Sequence, residues 1–177
     1  MFLAFGVVGV CSILFLLLKD ARIDRLAAAS AEVGTVFVTG VLLTGPMWGR
    51  PIWGAWWVWD ARLTSVLVLF LIYCGILALW NAFEDPARAG RAAAVMTLVG
   101  AINLPIVKFS VDWWNTLHQP ASLLRIGGPA IDSSMLTPLV LMLIAAHAYF
   151  AILVILRMRA LLTERRLAAL MLRPGGD

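Results

Sequence analysis

Charge is scarce in this sequence. Only 14% of the residues are charged, against 62% hydrophobic, and the mean hydropathy is +0.93. Soluble domains carry about a quarter charged residues. A water-soluble globule of this composition would keep large exposed apolar patches, so that class is excluded. Cysteine is nearly absent: Cys11 and Cys74 stand alone in apolar runs, with no C-x-x-C. That excludes a thioredoxin-type redox motif and thioether attachment of a prosthetic group, and leaves the cysteines as small buried hydrophobes. Histidine is limited to His118 and His147. No paired carboxylates, Ser-His-Asp set, Walker loop or HExxH motif can be assembled, so hydrolysis and phosphoryl transfer are disfavoured and no enzyme is expected. The formal net charge is +4, but no basic groove is interleaved with stacking aromatics, and nucleic acid is not an expected partner.

What is present is apolar length. A crossing needs about twenty apolar residues, and five segments qualify: Met1 to about Leu18, then about 31–47, 64–80, 92–109 and 136–156. Gly34, Gly40 and Gly45 in the second are expected to allow close helix contact. The reading is an all-α polytopic bundle of about five transmembrane helices, a single integral membrane domain over 1–177 without repeats. Lys and Arg in short loops set orientation. The stretches 19–25, 84–91 and 157–166 hold nine of the fourteen basic residues and fall on one side if the spans alternate. That side is cytoplasmic, with a tail at about 157–177, and the amino terminus is outside. A span that begins at Met1 must then insert with its amino terminus translocated, an arrangement that an upstream helix would make conventional.

The outer face receives two loops, at about 48–63 and about 112–135. The first contains "PIWGAWWVWDARLTS" (51–65), with four of the eight tryptophans of the chain. If 53–60 is a short helix, with Pro51 in its first turn, then Trp53, Trp56, Trp57 and Asp60 recur at i, i+3, i+4 and i+7 and share a face. Such a face is an indole platform edged by a carboxylate. Trp also gathers at membrane interfaces without a ligand, but that explanation predicts similar enrichment at the inner face, where Trp80 stands alone. With Trp48, Trp59, Trp113 and Trp114 added, the cluster points to a flat apolar ligand. His118 follows Trp113-Trp114 on the second loop, and imidazole is the commonest protein ligand of haem iron. The reading is haem stacked on indole, with His118 as axial ligand and Arg50, Arg62 or Arg125 suited to propionates. His147 lies near the midplane of the last span, too deep to share one iron with His118. Asn103 and Pro105 are expected to break or kink the fourth helix, and Asp112 to cap or pair with Lys108.

"WGRPIWGAWWVWDARLTS" (48–65) resembles the WWD signature of the haem-handling proteins of cytochrome c maturation. "NLPIVKFSVDWWNTLHQP" (103–120) is similar to the second outer loop of one branch, the heme exporter protein C (CcmC) family. The resemblance covers most of the chain. It implies a six-span inner-membrane protein that binds non-covalent haem b at its periplasmic face. There it presents haem to the chaperone CcmE, in association with CcmA, CcmB and CcmD. In that family haem sits over the WWD segment between two axial His, one matching His118. The other lies before the family's second helix, and this chain has no His there. The expectation is a sequence lacking the family's first helix; in a shortened form Met47 is the candidate sixth ligand. The alternatives are the permease subunit of an ABC-type haem exporter, which needs polar groups along a membrane path, and a WWD-type protein attaching haem to apocytochrome.

Overall fold

The computed structural model describes residues 1–119, 122–123 and 128–171. It consists of six helices: α1 (Phe2–Leu18), α2 (Ala21–Trp53), α3 (Ala61–Ala82), α4 (Pro86–Gly100), α5 (Asn103–Trp113) and α6 (Ser133–Met171). No strand occurs among the described residues. α4 and α5 form one interrupted rod, Pro86–Trp113. This rod, α2, α3 and the Ser133–Glu164 part of α6 are long and apolar enough to cross a membrane. At 17 residues α1 is shorter, about 25 Å at 1.5 Å per residue, so four of the five expected spans reach full length. The chain is a helical membrane bundle.

Aspartates precede four of the helices, α2, α3, α4 and α6. Asp20 accepts from the Arg22 N–H at 2.8 Å, Asp85 from the Ala87 N–H at 2.9 Å, and Asp60 from the Leu63 N–H at 2.7 Å, each satisfying a donor that the helix start leaves unpaired. Asp132 accepts from the Ser134 hydroxyl and N–H, and these bonds hold its carboxyl below the ordinary range because they favour the charged form. Only Lys19 and Asp20 separate α1 from α2. The expected inner loop 19–25 is therefore mostly helix. It even places Asp24 in the interior, where the carboxylate accepts from the Trp80 indole N–H at 3.0 Å. The lone tryptophan expected at the inner face thus joins α3 to α2. The expected tail 157–177 is helical as far as Met171, and its remainder, with Arg173, lies outside the described residues.

α1 packs against α2 and α4, and α3 against α2, α4 and α5. Phe5 and Tyr73 meet edge to face at 5.2 Å in the centre of this core. α6 rests chiefly on α2 and is the least buried span. Phe150 and Val154 hold it to Ala29 and Val33, and Arg157 pairs with Glu32 of α2 and with Glu164. The expected break in the fourth span occurs at Ala101-Ile102, where the helix tightens into bonds from Ile102 N to Val99 O and from Leu104 N to Ala101 O. Pro105 has no N–H for the residue four before it. Asn103 donates to the Ser65 carbonyl at 2.9 Å, fixing the start of α5 on α3. The expected pair of Lys108 with Asp112 is absent from the ion pairs of the described residues.

Of the three glycines expected to permit close approach, only Gly34 does so against another helix: a Cβ there would lie 2.6 Å from the Tyr73 hydroxyl and 2.9 Å from its ring. Gly40 and Gly45 have nothing within 4 Å. Tyr73 is fully buried and has no room to yield. Gly34→Ala therefore lowers the thermal midpoint in detergent, by the equivalent of about 1–3 kcal/mol of overpacking. Gly40→Ala leaves it level or raises it, by up to about 1 kcal/mol of helix propensity. Near-UV circular dichroism melts measure both.

Candidate functional site

The tryptophan segment starts as the last turns of α2. This helix runs through Pro46 and Pro51 to Trp53 and is closed by Gly54, whose φ of 75° is left-handed and whose N–H returns to the Arg50 carbonyl at 2.9 Å. A left-handed glycine ends a helix, and Asp60 starts α3 only six residues later. The short helix expected over 53–60 does not form, and Pro51 lies in a last turn, not a first. Trp53, Trp56, Trp57 and Asp60 consequently do not share one face.

Each ring has its own setting instead. Trp53 turns back over Gly49, where a Cβ would stand 2.9 Å from the indole, and meets Trp48 edge to face at 5.4 Å. Trp56 is exposed, with the Arg50 guanidinium 5.1 Å from its centroid. Trp57 and Trp59 pair edge to face at 5.5 Å; the Trp57 indole N–H is buried without a hydrogen-bond partner, and Trp59 is 74% exposed.

The second loop delivers His118 to this structure. At the end of α5, Trp113 stacks on Phe109 at 5.4 Å and touches Trp114 at 5.8 Å. The Thr116 hydroxyl accepts the His118 backbone N–H at 3.1 Å. The imidazole lies 4.7 Å from the Trp53 ring centroid, and its Nδ1 is 3.0 Å from Asp60 Oδ2. A carboxylate accepts and an imidazole N–H donates, so Nδ1 carries the proton and Nε2 is the nitrogen left for a ligand. Trp48, Trp53, Trp56 and His118, with Gly45, Pro46 and Leu63, line a notch of about 160 Å³.

Of the residues expected at the site, Trp48, Trp53, Trp56 and His118 converge on one notch, and Asp60 stands behind the imidazole. The Trp57–Trp59 and Trp113–Trp114 pairs make no ring contact with the notch among the described residues. Met47 is exposed and does not line it. Of the expected anion partners, Arg50 is on Trp56, Arg62 has a buried Nε without a hydrogen-bond partner, and Arg125 lies outside the described residues. Sequence reasoning missed Gly49, Pro46 and Leu63 as parts of the site; the Gly49-to-Trp53 spacing of one helical turn was the signal available for the first. His147 donates from Nδ1 to the Leu143 carbonyl at 2.6 Å within α6. Among the described residues no three His, Cys, Asp or Glu side chains are grouped to cage a bare metal ion.

The family model for CcmC, heme exporter protein C, matches residues 1–173. The chain belongs to the heme exporter protein C family. The Heme exporter protein C of Bradyrhizobium diazoefficiens is 55% identical over 165 residues, 93% of this chain and 63% of that protein. That of Escherichia coli is 49% identical over 141 residues, 78% of this chain and 56% of that protein. That of Paracoccus denitrificans is 42% identical over 159 residues, 89% and 66% respectively. The chain thus spans less than two thirds of the length of the Bradyrhizobium and Escherichia relatives.

Gly49→Ala tests the notch as a packed unit. The added carbon forces Trp53 off Gly49, and the indole cannot keep its contacts with both Trp48 and His118. The expected result is a shift of the Trp53 indole N–H and His118 ring resonances in ¹H–¹⁵N spectra, with the distant Trp80 signal unmoved.

Proposed function

We propose that this chain binds haem at the notch and holds it for delivery in cytochrome c maturation. His118 Nε2 serves as axial ligand, and Trp48, Trp53 and Trp56 supply the aromatic surface. The observation that carries this reading is the 4.7 Å approach of the His118 ring to Trp53, which brings a metal-ligating nitrogen and an indole cluster from separate loops to one end of the bundle. The notch fits part of a tetrapyrrole, not the whole. Its volume of about 160 Å³ falls below the roughly 300 Å³ at which pockets begin to enclose small molecules, so the macrocycle lies across the mouth. Arg50, whose guanidinium lies 5.1 Å from the Trp56 ring at the notch, is suited to a propionate.

In this reading the haem is b-type and non-covalent, the chain performs no bond chemistry on it, and the site faces the periplasm from the cytoplasmic membrane. The recipient is the chaperone CcmE, with CcmA, CcmB and CcmD as membrane partners. The basic inner stretches favour that orientation. Thr39 and Thr44 donate to carbonyls of their own helix at 2.8 Å, Asn103 to Ser65, and His147 to Leu143, so each of these four polar groups is engaged with backbone.

The test is absorbance of the detergent-purified protein. His118→Ala is expected to remove most of the co-purifying haem and the Soret band, and Trp53→Ala to weaken retention while leaving iron coordination visible. An unchanged Soret band and haem content in His118→Ala, with Trp56 and Trp57 intact, would overturn His118 as the ligand.

A further inference from the structure

We propose that Asp60 is a positioning residue that sets the tautomer and donor strength of His118, and that it does so without touching the ligand; this rests on the haem reading of the notch. The two side chains meet although 58 positions separate them in sequence. Their bond is shielded: 5% of the Asp60 side chain and 20% of the His118 side chain are exposed. A charge-assisted bond gains strength where water is excluded.

The two carboxylate oxygens have different partners. Oδ1 accepts the Leu63 N–H at 2.7 Å at the first turn of α3, where the helix end also favours negative charge. Oδ2 accepts from His118 Nδ1 at 3.0 Å. The orientation of the imidazole is therefore referred to α3, a rigid span, and not to the loop that carries it. Trp53 closes one side of the ring, and Thr116 fixes the backbone beneath it. With the proton held on Nδ1, the neutral imidazole presents its lone pair at Nε2. The carboxylate also pushes electron density through the ring toward whatever Nε2 binds, as such partners do for metal-bound histidines. A stronger imidazole donor favours ferric over ferrous iron.

Asp60→Asn separates this role from helix capping, because Asn caps a helix start about as well as Asp but brings no charge. The variant is expected to keep its helix content and thermal midpoint. Its haem affinity should fall by about 10–100-fold, and the ferric/ferrous midpoint potential of bound haem should move to a more positive value. A second readout needs no haem: ¹⁵N-histidine NMR of the protein without haem should show His118 protonated at Nδ1, and a changed tautomer in Asp60→Asn. The chain has only two histidines, so His147→Gln assigns the signals. If His118→Ala loses haem while Asp60→Asn keeps the wild-type tautomer, affinity and potential, Asp60 is a loop staple and the proposal is overturned. If His118→Ala keeps its haem, the haem reading itself fails. Should Asp60→Asn not fold, an Nε2-protonated His118 in the wild type would still overturn the proposal, and an Nδ1-protonated one would support it.

Discussion

The bond between Asp60 and His118 is the constraint on which the Trp-rich end of the molecule depends. Asp60 ends an irregular segment, begins a membrane-spanning helix and grips a ring from the loop that follows the α4–α5 rod. Remove that carboxylate and His118 belongs to a loop alone; keep it and the imidazole inherits the rigidity of α3. Three tryptophans are gathered about this pair. Trp53 lies against the imidazole because Gly49 gives it room, Trp48 supports Trp53, and Trp56 is left outward under Arg50.

The bundle beneath serves the same end. Most side-chain hydrogen bonds inside it return to their own helix, and two others register helices against one another. Asn103 ties the start of α5 to α3, so the segment leading to His118 rises from a fixed point on the helix that Asp60 begins. Asp24 and Trp80 tie α2 to α3 at the opposite end. The Asp24–Trp80 bond thus registers α2 against α3, and the connection between them carries tryptophans. α6 contributes least to this frame, resting chiefly on α2 through Phe150, Val154 and Arg157.

Much of this was legible in the sequence, because membrane spans are written in composition over some twenty residues, and no tertiary detail is needed to see them. The meeting of the two loops at one end also followed, since alternation of spans sends both to the same side. The local form of the tryptophan segment did not follow. A spacing of i, i+3, i+4 and i+7 reports where side chains would point if the backbone were helical, and Gly54 at positive φ breaks the helix within that pattern. The same limit applied to Asp24, which reads as one charge of a basic loop and is in fact a buried acceptor. The partnership of Asp60 with His118 carried no local signal, because 58 positions lie between them and only the folded bundle makes them neighbours. Of the glycines, Gly34 was correctly singled out, and Gly40 showed that a small residue in a span need not face a neighbour.

The small volume of the notch has a kinetic corollary. A macrocycle lying across its mouth, as the haem reading has it, need not wait for a gate to move before arriving or leaving, and a transition that costs no rearrangement does not slow association. Residence time would then rest on ligation of the iron and the adhesion of a few indoles. The hold on such a passenger would be set by electronic tuning behind the imidazole, where evolution could adjust it by a single side chain, without reshaping the walls.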